Sequence, residues 1–116
     1  MSLSDVISNA IHDLKGLDIK ELDVTTLSNV MDKLIIVTGT SSRHVKSMAN
    51  NVVVDTKKAG HQPIGVEGME GGEWVLVDYG DTVVHIMQAQ ARDFYALEKL
   101  WSTVPAHRES ELNDGK

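Results

Sequence analysis

No cysteine occurs among the 116 residues, so the chain has no disulfide framework and no thiolate chemistry, an absence that fits a reducing cytosol. Two prolines, two tryptophans, two tyrosines and one phenylalanine leave the core to aliphatic side chains. The longest apolar run near the start, Leu34 to Val37, is far too short to span a bilayer. The N-terminus has neither the basic region nor the unbroken apolar run of a signal peptide. A soluble, cytoplasmic protein without membrane attachment is expected. Basic residues are also missing where acidic ones gather. No Lys or Arg lies between Lys58 and Arg92, a stretch that holds Glu67, Glu70, Glu73, Asp78 and Asp81. With a net charge of −6, this argues for little direct nucleic-acid contact, because basic side chains supply most of the affinity for phosphate backbones. An acidic surface of this kind suits a basic protein partner.

What is present reads as one α/β domain. Hydrophobic content of 41% and charged content of 24% are ordinary for a globular chain, and the length is enough to bury a core. Leu3, Val6, Ile7, Ala10, Ile11, Leu14 and Leu17 follow helical spacing. Ser2 or Ser4 can cap that helix, and Gly16 stands where a left-handed C′ residue belongs. Ile19, Leu22, Val24 and Thr25 suggest a short strand of imperfect alternation. Asp32 to Thr38 is a nearly continuous apolar run, typical of a strand buried on both faces. Val45, Met48, Ala49, Val52 and Val53 stripe a second helix, closed by Gly60 and Pro63. Pro63 to Glu67 reads as an edge strand, since proline cannot donate to a ladder, and Gly68 to Gly72 as a glycine-rich loop. Ala91, Phe94, Leu97 and Trp101 mark a last helix. The order is α-β-β-α-β-β-β-α, a mixed five-stranded sheet flanked by helices, in a domain over residues 1–101. Residues 102–116 read as a polar, disordered tail.

Glu73 to Met87 reads as a hairpin turning at Tyr79-Gly80, where glycine supplies the positive φ of a tight loop. That register sets Asp78 opposite Asp81 and Trp74 opposite His85. Val75, Val77, Val84 and Ile86 share one face, which is plain core. Trp74, Leu76, Asp78, Asp81, Val83, His85 and Met87 share the other. That face is too apolar for open water, yet carries two carboxylates and an imidazole. Like charges directly opposite cost some tenths of a kcal/mol (about 0.2–1), so a docking role offers them a reason. Trp74 and Tyr79 in acidic surroundings have the composition of a protein-binding hot spot, or else Trp74 lies under a helix and Tyr79 is a turn residue. His85 is either a core histidine bonded to a neighbour or a group stacked on Trp74 at a contact surface.

Thr38 to His44 (TGTSSRH) is a strand-to-helix turn. Gly39, Ser41 and Arg43 can form an anion site, or simply a helix N-cap. The turn lacks the lysine of a P-loop and the three glycines of a dinucleotide fingerprint. A nucleotidyltransferase would add paired carboxylates on the following strand to hold Mg²⁺. Only Asp55 follows within reach, on the second helix, so no catalytic residue is assigned. The five histidines show no ligand spacing, and neither metal nor cofactor is expected.

Four ordered blocks resemble the ribosomal silencing factor, or Iojap-like, family. They are LKGLDIKELDV (Leu14–Val24), DKLIIVTGTSSRHV (Asp32–Val45), PIGVEG with EWVLVDYGDTVVHIM (Pro63–Gly68, Glu73–Met87), and RDFYALEKLW (Arg92–Trp101). The resemblance implies a nucleotidyltransferase-like fold without catalytic carboxylates, and a translational repressor, not an enzyme. It further implies binding to the large ribosomal subunit through universal large-subunit ribosomal protein number fourteen, blocking joining of the small subunit. Organellar relatives imply an alternative, large-subunit assembly; residual nucleotide binding is a further alternative. By position, Trp74, Asp78, Tyr79, Gly80, Asp81 and His85 fall on the implied docking segment. The free protein can shield that semi-apolar face as a homodimer.

Overall fold

The computed structural model describes residues 2–23, 25 and 32–94. Five strands form one mixed sheet in the order β1-β2-β5-β4-β3: β1 (Leu17–Asp23), β2 (Lys33–Gly39), β3 (Gly65–Glu67), β4 (Trp74–Asp78) and β5 (Thr82–Gln88). Helices α1 (Leu3–Asp13) and α2 (Ser42–Lys58) pack together on one face, and α3 (Ala89–Phe94) packs against β5 and β2. The expected element order and the five-stranded α/β architecture are therefore present. The side chains of Phe94, Tyr95, Leu97 and Trp101, and the tail from Ser102, lie outside the described residues.

The apolar stripes become buried seams. Ile7, Ala10 and Ile11 of α1 meet Val45, Met48, Ala49 and Val52 of α2 over Ile35, Val37, Val75, Val77, Val84 and Ile86 of the sheet. Truncating fully buried Ile7 or Ile11 to alanine costs about 2–5 kcal/mol, the lost transfer energy plus a cavity. The other face gathers Leu34, Ile36, Leu76, Val83, Met87 and Ala91, with Leu22 and Trp74 partly buried beside them. β2 runs centrally, antiparallel to β1 and parallel to β5, which is why its apolar run does not alternate. β1 shifts register between Leu17 and Lys20, where Asp18 adopts φ 49°, and this explains its broken alternation.

The termini of α1 correct one expectation. Ser2 is the N-cap, accepting from the Asp5 N–H at 3.2 Å. At the other end the left-handed residue is Lys15, at φ 59°, not Gly16. Lys15 N–H donates to His12 and Gly16 N–H to Ile11, the paired bonds of a Schellman ending. Gly16 is needed for space instead. A Cβ there would collide with Ile11 and would lie 2.6 Å from Val37 Cγ2.

Candidate functional site

The hairpin that carries Trp74 is built from β4 and β5, and its turn lies one residue later than expected. Gly80 and Asp81 are the two loop residues, closed by Tyr79 N–H donating to the Thr82 carbonyl at 2.8 Å. Gly80 at φ 96° takes the first loop position, as a type II′ turn requires. The Asp78 side chain stabilises it, its Oδ1 accepting from Gly80 N–H at 2.9 Å. The pairs are consequently Trp74 with Met87, Leu76 with His85 and Asp78 with Val83. Asp78 does not oppose Asp81, so the like-charge clash expected there does not exist. The shift moves each partner by two residues, which preserves side-chain parity and leaves both faces as assigned.

The six hairpin residues singled out by sequence do not form one surface. Trp74 is half-buried on the face that carries Leu34 and Ile36. Tyr79 belongs to the opposite, helix-covered face, with its hydroxyl 2.7 Å from that of Thr56 on α2. Its own burial raises the phenol above its ordinary value of 10. Gly80 is half-buried and Asp81 exposed at the tip, while Asp78 and His85 are both 0% exposed. The Asp81 carbonyl accepts from the Asp32 and Lys33 N–H groups at 2.7 and 3.0 Å, which anchors the tip to the start of β2. Of the six, only Trp74, Tyr79, Gly80 and Asp81 reach the surface. Asp78 and His85 shape the hairpin from within. A charge reversal at Asp78 would test folding rather than docking.

His85 and Trp74 form the best-defined polar contact here. The Trp74 indole N–H donates to His85 Nδ1 at 2.8 Å, with ring centroids 5.6 Å apart and planes tilted by 41°. Desolvation lowers the imidazole from 6.5 to about 4, so the ring is neutral at pH 7. With Nδ1 accepting, the ring proton resides on Nε2. Nε2 is buried and, among the described residues, has no hydrogen-bond partner. The core reading of His85 holds: it is buried and hydrogen-bonded to its neighbour Trp74.

The Thr38–His44 turn is organised as a cap. Ser41 accepts from His44 N–H at 3.1 Å, Thr40 N–H donates to His44 Nδ1 at 2.9 Å, and His44 Nε2 donates to the Leu14 carbonyl at 2.6 Å. Two N–H groups that an anion would need are thereby used. Gly39 is buried against α2, where a Cβ would lie 2.6 Å from Val45 Cγ2, and Arg43 is exposed. A cavity of about 350 Å³ lies at the carboxyl ends of β2 and β5, lined by Leu17, Thr38, Gly39, Thr40, Gln88, Ala89 and Gln90. Among the described residues, its lining carries no charged side chain. His44, which ties this turn to the end of α1, was missed in the sequence; only its i+4 spacing from Thr40 hints at the role. Among the described residues, no group of three His, Cys, Asp or Glu is placed to hold a metal ion.

The glycine loop locks the hairpin to α2. Gly72 (φ 68°) lies so close to the helix that a Cβ would meet Ser42 O at 2.9 Å, and its carbonyl accepts from Gln88 Nε2 at 3.0 Å. Glu67, Glu70 and Glu73 are exposed along this segment, beside Trp74 in sequence.

Known proteins share this sequence and fold. A family profile described as "Ribosomal silencing factor during starvation" matches residues 2–116. A protein of Haemophilus influenzae named a ribosomal silencing factor is 46% identical over 102 residues, covering 88% of this chain and 100% of its own. A mouse protein named "Mitochondrial assembly of ribosomal large subunit protein 1" is 32% identical over 101 residues, with 84% and 44% covered. A crystal structure from Chromobacterium violaceum superposes with a TM-score of 0.81 at 47% identity, covering 90% of this chain and 88% of that one. The profile match over nearly the whole chain, the sequence identity and the superposition agree, and the protein belongs to the ribosomal silencing factor family.

Proposed function

We propose that this protein represses translation by binding the large ribosomal subunit and sterically blocking the small one from joining it. The docking partner is a basic protein of the subunit face, universal large-subunit ribosomal protein number fourteen. The observation that carries the reading is a half-exposed Trp74 on a hairpin with exposed acidic residues at its start, Glu73, and at its tip, Asp81. A rigid aromatic anchor in a charged rim has the anatomy of a protein-binding hot spot. Charge complementarity speeds encounter with a basic surface and makes it salt-sensitive. The action is occlusion; it uses no cofactor and no catalysis, and the protein works in the cytoplasm. In the free protein, a second copy can cover the same hairpin.

The test is a sucrose gradient in which the protein meets purified large subunits before small subunits are added. Co-migration with the large subunit and loss of full ribosomes is the expected result. Binding without loss of joining would favour the second reading, a role in large-subunit assembly, to which the name of the mouse relative points. Binding to neither subunit would end both.

A further inference from the structure

We propose that His85 is a positioning residue for docking: its Nδ1 lone pair holds the Trp74 indole in the orientation the ribosomal partner meets. This rests on the docking reading above and gives it a mechanism inside the sheet.

Position 85 is an unfavourable place for an imidazole. It stands opposite Leu76 on β4 and level with Ile36 on β2, with no solvent exposure. Its Nε2 finds no partner among the described residues, a cost that an aliphatic side chain would avoid. Among the described residues, the one hydrogen bond its ring makes is the acceptance of the Trp74 N–H at 2.8 Å. An indole N–H can only donate, so its direction is fixed only where a buried acceptor is supplied. The neutral ring keeps that lone pair available at pH 7. Trp74 itself is half-exposed at the start of β4, where an unbonded indole would sample other rotamers. Holding it in one orientation moves the loss of side-chain freedom from binding to folding, which is how preorganisation raises affinity.

The experiment uses the full chain with His85→Leu, His85→Gln, Trp74→Phe and the His85→Leu/Trp74→Phe double variant. Binding to purified large subunits should fall about tenfold in His85→Leu, recover in large part in His85→Gln, and be unaffected by the leucine in the Trp74→Phe background. A folded His85→Leu protein that binds like wild type overturns the proposal. So does an equal loss in the Trp74→Phe background, which marks a structural effect independent of Trp74. Deuterium exchange of the Trp74 indole N–H, identified by its absence from the Trp74→Phe spectrum, is a second readout. It should be at least about tenfold faster in His85→Leu, and an equal rate overturns the proposal. Should the leucine variant not fold, His85→Gln carries the comparison: faster indole exchange with unchanged binding overturns it, and matched changes support it. If wild-type protein does not bind the large subunit, the docking reading and this role fall together. The exchange rate then still reports whether His85 holds Trp74.

Discussion

The hydroxyls of Tyr79 and Thr56 lie 2.7 Å apart, joining the hairpin to the last turns of α2 across the helix-covered face of the sheet. Thr56 is fully buried and its hydroxyl also donates to the Val53 carbonyl at 3.1 Å, which makes Tyr79 the donor of the pair. Tyr79→Phe leaves Thr56 its bond to Val53 and removes only the tyrosine's contribution. The expected cost is about 1 kcal/mol, seen as a lower urea midpoint with unchanged slope. An unchanged midpoint would show that the bond contributes nothing net.

Acid should weaken the fold through His85. The folded protein binds a proton there only near pH 4, because burial opposes the charge, whereas the unfolded chain binds it near 6.5. The stabilisation is complete above about 6.5 and is lost as pH falls toward 4. Between pH 7 and 5 the loss is about 2 kcal/mol. Urea titrations at pH 7, 6 and 5 should show this slope in wild type and a shallower one in His85→Gln, the other histidines being common to both. Parallel slopes would refute the assignment.

Three glycines with left-handed φ should rank by what surrounds them. Gly60 at φ 90° faces open space, so Gly60→Ala pays for backbone conformation alone, about 1–2 kcal/mol. Gly72→Ala adds a clash with Ser42, and Gly68→Ala a clash with the Trp74 carbonyl that only backbone movement relieves. Melting temperatures should fall in the order Gly60, Gly72, Gly68, with Gly68→Ala costing about 3 kcal/mol or more. Equal losses at Gly60 and Gly68 would contradict the packing described.

At the tip, Asp81→Lys should slow association with large subunits and flatten its salt dependence, with stability within about 0.5 kcal/mol of wild type, since the side chain is exposed. Association rates at low and moderate salt provide the measurement. A variant as fast and as salt-sensitive as wild type would move the docking surface away from this hairpin.

Periodicity made much of this architecture readable. Val75, Val77, Val84 and Ile86 do share the helix-covered face, and the two helical stripes do bury, because apolar spacing encodes which side of an element meets the core. Exact register was not encoded that way. A hairpin turning at Tyr79-Gly80 and one turning at Gly80-Asp81 give the same faces, and the difference lies in where Gly80 and the Asp78 carboxylate place the turn. Gly16 was readable as necessary but for the wrong reason, since its close neighbour Val37 is distant in sequence. The candidate surface was readable as a segment only. That Trp74 and Tyr79 sit on opposite faces follows from parity, whereas the burial of Asp78 and His85 depends on tertiary packing that no local pattern records.

The parallel pairing of β2 with β5 has a consequence for how the chain assembles. Lys33 pairs with Thr82 and Gly39 with Gln88, so the centre of the sheet closes only when strands far apart in the chain meet. Such long-range closure is entropically slow, while α2 and the β4–β5 hairpin rest on local contacts and can form beforehand. During synthesis β5 follows every other strand, and until it docks β2 has a single neighbour, β1. Trp74 gains its final surroundings in that same step, so a nascent chain lacking β5 cannot display a finished recognition surface, and maturation of the fold sets the earliest moment at which the factor can act.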